Sequence, residues 1–314
     1  MTQTIGVLMS QDAEAVKLCS ALEETSRLVG ASFSRDRVWP ILDAFREALL
    51  PDGAIIFSAQ INAGEVGELE YTVQVSPGSE GPYTRALAHG LLPRTDHPVG
   101  SLLSDLQERV TVEDWFIDGD ITSGFKKVYA QFPGSLQKVS QLAELPSMPR
   151  SVADNADLFA RHGLTEVALV GVNYQRKSVN LYFQLPGDVL GHLDPEVIRS
   201  LLREIGLPDP DEKMLAYACT AYRVYVTLTW DSSEIHRISF APMPSPGLDP
   251  SALPARLDPE LEQFLKNSPY TYSGERINAS AAKWSPAGDH LDLAVYHQIP
   301  SRLLTVFTSN AVAA

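Results

Sequence analysis

The sequence predicts an α+β chain with one domain spanning residues 1–314. Ten antiparallel strands close into a barrel, helices lie outside, and a ligand site fills the lumen. Three observations predict this. Helices alternate with pairs of strands five times along the chain. The second strand of each pair recurs every ~55 residues, a repeat of supersecondary structure and not of sequence. Six strands alternate with a period of two, one face apolar and the other built of Tyr, Thr, Lys and Arg. Apolar outer faces suit a sheet closed on itself beneath a coat of helices. Ten strands leave more room than the eight that side chains just fill, so the lumen is a cavity. The alternative is an open α+β sheet with one wet face, and the five-fold recurrence favours the barrel.

The elements follow in order. Helical periodicity covers Ala13 to Val29 and, after Ser34, Val38 to Leu50; strands follow around Ala54 to Gln60 and Glu68 to Val75. Helices fit Pro82 to His89 and Pro98 to Glu108, then strands Val112 to Asp118 and Phe125 to Phe132. Pro149 to His162 is a helix with proline at its start and Gly163 as its stop, followed by strands Glu166 to Val172 and Ser178 to Gln184. Pro195 to Ile205 is a helix ended by Gly206, and strands Ala221 to Trp230 and Glu234 to Ala241 come next. A Pro-rich loop, Pro242 to Pro259, leads to a helix over Asp258 to Asn267. Strands over Tyr270 to Ile277 and Leu291 to Gln298 and a closing segment, Pro300 to Phe307, complete the chain. Short turns such as Asp118-Gly119 and Asp231-Ser232-Ser233 make the pairs antiparallel hairpins.

Composition narrows the function. A net charge of −14 argues against nucleic-acid or anionic-membrane partners, so basic groups that serve an anion must be concentrated. Two cysteines, Cys19 and Cys219, make neither a disulfide framework nor a zinc site. The N-terminal residues lack a basic segment with a cleavage motif, and no apolar run reaches membrane-spanning length, so a soluble cytoplasmic protein is expected. There is no P-loop, no Gly-x-Gly-x-x-Gly and no Asp-Asp-x-x-Asp. His162, His236 and His297 lack metal-ligand spacing and are expected to be structural.

The polar strand faces carry the chemistry. In Gly171 to Leu185, GVNYQRKSVNLYFQL, one face holds Tyr174, Arg176, Ser178, Asn180 and Tyr182: donors and tyrosines with no acid, which suits an enclosed anion site. Lys127, Tyr129 and Gln131 share a face of the strand around 124–132. Arg223, Tyr225 and Thr227 share another, Arg237 and Ser239 a third, and Asp292, Ala294 and Tyr296 a fourth. Glu68, Glu70, Thr72 and Gln74 form the polar face of the second strand.

At these residues the chain resembles the soluble ABBA aromatic prenyltransferases of bacterial secondary metabolism, in their phenol and phenazine branch. The clearest segments are DGDITSGFKKVYAQF (118–132), LPSMPRSVADNADLFARHG (145–163) and VNLYF (179–183). The resemblance implies a ten-stranded barrel of five ααββ units. It also implies transfer of a dimethylallyl or geranyl group from its diphosphate to a carbon of a small aromatic acceptor. Lys127, Arg176, Asn180, Tyr225 and Arg237 match positions that hold the diphosphate, and Ser58 and Thr72 match small polar wall positions beside it. Tyr129, Tyr182 and Tyr296 match tyrosines along the prenyl chain and acceptor. Two departures stand out. The family's magnesium-binding aspartate is Glu70 here, so magnesium is expected not to be required and no other cofactor is implied. A family lysine is replaced by Asp292, for which Lys283 on the preceding strand is a candidate substitute.

Ionisation of a prenyl diphosphate gathers charge on the leaving group, where fixed cations such as Lys127, Arg176 and Arg237 act most strongly. The allylic cation needs π faces and a dry lumen. Glu275 is a candidate acceptor of the ring proton; the alternative is an exposed loop glutamate. Arg223, where phenol-type relatives tend to have a small residue, points to a fused acceptor bearing a carboxylate, of phenazine type. Its alternatives are an internal ion pair with Glu70, Glu68 or Asp292, and a phenol or hydroxynaphthalene acceptor. The expected protein is a monomer. The rival class is a non-catalytic barrel that carries an aromatic or isoprenoid ligand; a carrier needs an apolar lining but not several cations at one end.

Overall fold

A computed structural model describes residues 2–62, 65–76 and 80–311. Twelve strands follow one another: β1 (Ile55–Asn62), β2 (Glu65–Val75), β3 (Asp114–Asp120), β4 (Gly124–Gln131), β5 (Gln137–Lys138), β6 (Glu166–Asn173), β7 (Ser178–Gln184), β8 (Ala221–Thr229), β9 (Arg237–Pro242), β10 (Ser245–Pro246), β11 (Ile277–Ser285) and β12 (Gly288–Gln298). Two of these, β5 and β10, are two-residue appendages. The other ten pair antiparallel with their neighbours in chain order, β9 on β11 included, and one further pairing, β12 on β1, closes the ring. Closure removes every long free edge.

The helices are α1 (Thr2–Leu28), α2 (Arg35–Phe45), α3 (Gly81–Ala88), α4 (Leu102–Arg109), α5 (Val139–Ala143), α6 (Arg150–Asp154), α7 (Ala156–Arg161), α8 (Pro195–Glu204), α9 (Glu212–Ala218), α10 (Pro259–Asn267) and α11 (Ser301–Ala311). The hydrophobic core lies between barrel and helices. Outward-facing Phe57, Tyr71, Trp115, Phe183, Phe240 and Trp284 are almost wholly removed from water there. No helix among the described residues is long and apolar enough to cross a membrane. At one mouth, α11 covers the lumen. Phe307 packs on Tyr296 at 5.8 Å between ring centres, and Arg302 pairs with Asp114 at 3.0 Å.

Several expectations need correction. The strand expected over Tyr270 to Ile277 is loop as far as Arg276, and β11 begins only at Ile277; Ala279, Ala281 and Ala282 weaken its apolar signal, while the tyrosines before it pack on one another. The 149–162 helix is broken at Asn155 into α6 and α7. Helix α9 went unread although Asp211 caps it, accepting from the Lys213 and Met214 N–H groups at 2.7 and 2.8 Å. Asp118 and Gly119 lie inside β3; the turn follows at 121–123, held by Asp120, which accepts from the N–H groups of Thr122 and Ser123.

Candidate active site

The barrel encloses a cavity of about 470 Å³. Period-two alternation on nine of its strands aims side chains into it, and they divide by chemistry along the barrel axis.

The charged end gathers three cations, Lys127, Arg237 and Lys283, and three carboxylates, Glu70, Asp118 and Asp292. Lys127 Nζ lies 3.0 Å from Asp118 and 3.3 Å from Glu70. Thr72 and Tyr129 also donate to Asp118, the latter at 2.7 Å, and Lys283 is in contact with Asp292. Burial opposes the charge on Glu70, but Lys127 and Lys126 overcome it and hold the carboxyl well below its ordinary range. Burial likewise opposes the charge on Lys127, and Glu70 and Asp118 reverse that, raising its pKa. Burial, with Arg237 and Lys127 close by, pushes Lys283 down.

Arg237 differs from both lysines. Its only polar contact among the described residues is a long one, 3.4 Å from the guanidinium to Thr227 Oγ1, and its buried Nε has no partner. An unsatisfied buried donor costs about 1–3 kcal/mol, which an anionic ligand would relieve.

Lys126 was not foreseen. Strict alternation points it outward, yet it is 3% exposed and bonds Glu70 and, at 2.7 Å, Glu68. The cause is a bulge: Asp118 faces Lys127 and Gly119 faces Phe125, so Lys126 is the extra residue and turns toward β2.

The middle of the lumen is aromatic. Tyr182 stacks on Tyr225 at 4.6 Å and meets Tyr129 edge-on at 6.1 Å. Gly171 makes this possible, because a Cβ there would sit 2.7 Å from the Tyr129 ring. Lys127 and Lys283 approach the faces of Tyr129 and Tyr225 at 6.0 and 5.9 Å. Toward the other mouth the wall turns apolar, with Ile56, Phe116, Met243, Tyr296, Leu303 and Phe307. Arg223 stands in this half, 5.2 Å over the Tyr222 ring, in no ion pair among the described residues. Glu70, Glu68 and Asp292, its expected alternative partners, are taken by Lys126, Lys127, Arg176 and Lys283.

Of the residues singled out in the sequence, Ser58, Thr72, Lys127, Tyr129, Asn180, Tyr182, Arg223, Tyr225, Arg237, Lys283 and Tyr296 all line the cavity. Two do not. Arg176 lies on the turn between β6 and β7, 52% exposed, paired with Glu68 at 3.0 Å. Alternation cannot carry a face through a hairpin turn, here marked by Lys177 at a φ of 46°. Glu275 is on an exposed loop outside the barrel, a consequence of the late start of β11.

The comparisons with known proteins agree with this architecture. The family model described as "Aromatic prenyltransferase Orf2" matches residues 13–298. The chain is 40% identical to 5,10-dihydrophenazine-1-carboxylate 9-dimethylallyltransferase of Streptomyces anulatus, over 96% of this chain and 100% of that protein. It is 39% identical to flaviolin linalyltransferase of Streptomyces virginiae, over 93% of this chain and 95% of that protein. It is 36% identical to the furaquinocin biosynthesis prenyltransferase of Streptomyces sp. (strain KO-3988), over 91% of both. The crystal structure of apo prenyltransferase PriB shares the fold, with a TM-score of 0.50 at 12% identity over 91% of this chain and 98% of that one. A charged pocket, an aromatic waist and an apolar mouth in one barrel suit prenyl transfer, and the chain belongs to the aromatic prenyltransferase Orf2 family, enzymes that join a prenyl diphosphate to an aromatic acceptor.

Proposed function

We propose that the enzyme transfers a dimethylallyl group to a ring carbon of a phenazine-type aromatic carboxylate, as a monomer, in the cytoplasm and without magnesium. The observation that carries the acceptor is Arg223. A guanidinium in an apolar half-cavity without an acid partner is costly unless a ligand supplies the anion, and a carboxylate fits it bidentately. The relative from Streptomyces anulatus, named for a dihydrophenazine carboxylate and a dimethylallyl group, supports both substrates. The monomer reading rests on a cavity enclosed by one chain's strands, and the cytoplasmic one on a charge of −14, which disfavours anionic membranes.

The donor's diphosphate sits at the charged end. Arg237 is its first contact, because it alone of the three cations at the charged end has no carboxylate among the described residues; Lys127, Lys283, Asn180 and Tyr225 complete the shell, with Ser58 and Thr72 on the wall. The C1–O bond breaks with its electron pair on the leaving group, and fixed cations stabilise that charge as it develops. Tyr129, Tyr182 and Tyr225 face the allylic cation, and Tyr296 packs beside the acceptor. Magnesium is dispensable because Lys126 and Lys127 already occupy the Glu70 carboxylate; an ion demanding strict octahedral geometry would have to displace both.

The test is product formation with dimethylallyl or geranyl diphosphate against phenazine-1-carboxylate and a neutral dihydroxynaphthalene. A dimethylallylated phenazine as the main product is expected. Preference for the neutral acceptor, or for geranyl diphosphate, would overturn that part of the assignment.

A further inference from the structure

Electrophilic substitution leaves an arenium ion whose ring proton must go to a base, and Glu275 is too far outside the barrel to take it. Among the described residues, three carboxylates reach the lumen. Glu70 is held by two lysines and Asp292 by Lys283, both at the charged end. Asp118 lies at the same end, held by Lys127, but it alone of the three also takes a hydrogen bond from a tyrosine of the lumen wall. Its Oδ2 accepts from Tyr129 Oη at 2.7 Å, and the Tyr129 ring lies at the waist, opposite Phe116 of the apolar half in the β3–β4 register. Tyr129 therefore lines the lumen with its hydroxyl already seated on a buried carboxylate.

We propose that Tyr129 and Asp118 form the proton relay that restores aromaticity. The ring's π pair bonds to C1 of the prenyl cation. The C–H pair of the arenium then returns to the ring, its proton passes to Tyr129 Oη, and the hydroxyl proton of Tyr129 passes to Asp118 Oδ2. One proton moves from carbon to carboxylate, and the phenol ends as it began. The hydrogen-bond length is within the range that general bases use. Gly171 fixes the ring, since any side chain there would push it off this line. Burial, then Asp118 itself, keeps the phenol protonated at rest, so the carboxylate is the vacant position.

Lys127 times the relay. Without donor it neutralises Asp118 from 3.0 Å. A diphosphate that draws the ammonium toward itself leaves the Asp118 carboxylate less compensated when the arenium forms. This step rests on the placement of the donor argued above.

The test uses Tyr129→Phe and Asp118→Asn in the full chain, with an acceptor that the wild-type enzyme turns over. That acceptor is compared in protiated form and deuterated at the carbon that is prenylated. Wild-type turnover must be seen first; its absence would overturn the substrate assignment and not the relay. In wild type, proton loss follows the slow step and no isotope effect is expected. In both variants turnover should fall ~10²-fold, the span of general acid–base catalysis, and a normal isotope effect should appear because proton loss has become limiting. Slower turnover without an isotope effect would mean that these residues only shape the donor site and that the released pyrophosphate takes the proton, which overturns the relay. Should Asp118→Asn fail to fold, Tyr129→Phe, which keeps the ring, decides alone.

Discussion

The two ends of the lumen solve opposite electrostatic problems. At the charged end, cations and carboxylates are present in equal number and most are paired: Lys127 with Glu70 and Asp118, and Lys283 with Asp292. Arg237 is the cation without a carboxylate, and its Nε is unsatisfied. Among the described residues, the apolar end has a single guanidinium, Arg223, against Tyr222 and no acid. The difference teaches that the number of cations says little about anion binding. A lysine whose charge is already met holds the barrel together, whereas an unmet guanidinium is a vacancy for a ligand.

The sharpest way to break this comparison is to remove one cation of each kind. Arg237→Ala and Lys127→Ala should each lower turnover by ~10²-fold or more if both face the diphosphate. They should part in stability. Lys127→Ala strips a counter-ion from two buried carboxylates and should cost about 3 kcal/mol or more in denaturant melts. Arg237→Ala removes a half-buried charge that has no carboxylate among the described residues and should leave the midpoint unchanged or higher. Equal stability loss in the two would end the distinction drawn here.

The apolar end is tested by Arg223→Gln. Acceptor KM should rise several-fold for a carboxylated acceptor while donor KM stays nearly constant. Equal losses for charged and neutral acceptors would assign Arg223 to structure.

A smaller effect concerns pH. Burial, reinforced by Lys283 and Arg237, lowers His290 from 6.5 to about 4. The unfolded chain therefore binds a proton below pH 6.5 that the fold refuses until about pH 4, so stability should fall as pH drops through that window. His290→Gln should flatten this slope. Glu70 acts in the same direction at lower pH: its contribution is complete above its ordinary 4.5 and is lost as pH falls toward its much lower folded value. Thermal melts of both chains from pH 7.5 to 4 check the sign. The smallest expected effect is none at all: excess EDTA should leave the initial rate unchanged, and rescue of an EDTA-silenced enzyme by Mg²⁺ would count against the pairing of Glu70 with Lys126 and Lys127 as a substitute for the metal.

Much of this was legible in sequence because a strand writes its two faces as alternate letters. Lys127, Tyr129, Asn180, Tyr182, Tyr225, Arg237 and Tyr296 could be assigned to the lumen from parity alone. Parity failed where the backbone leaves the regular pleat. It counted Arg176 across a turn, and it sent Lys126 outward because a bulge is invisible in one strand's letters. It also missed β11, whose inward residues are mostly alanine, and so put Glu275 in the wrong element.

The sequence by itself determined the ten-strand count, the antiparallel order, the outward core and the basic and tyrosine-rich lining, since each depends on local periodicity or on neighbours in the chain. Only the tertiary structure decided which charges meet. Asp118, Thr72 and Tyr129 come from three strands, and their bonding depends on the register between those strands and on the bulge that shifts it. Charge compensation is a property of distance in space, so the difference between a paired Lys127 and an unpaired Arg237 becomes readable when the sheet has closed.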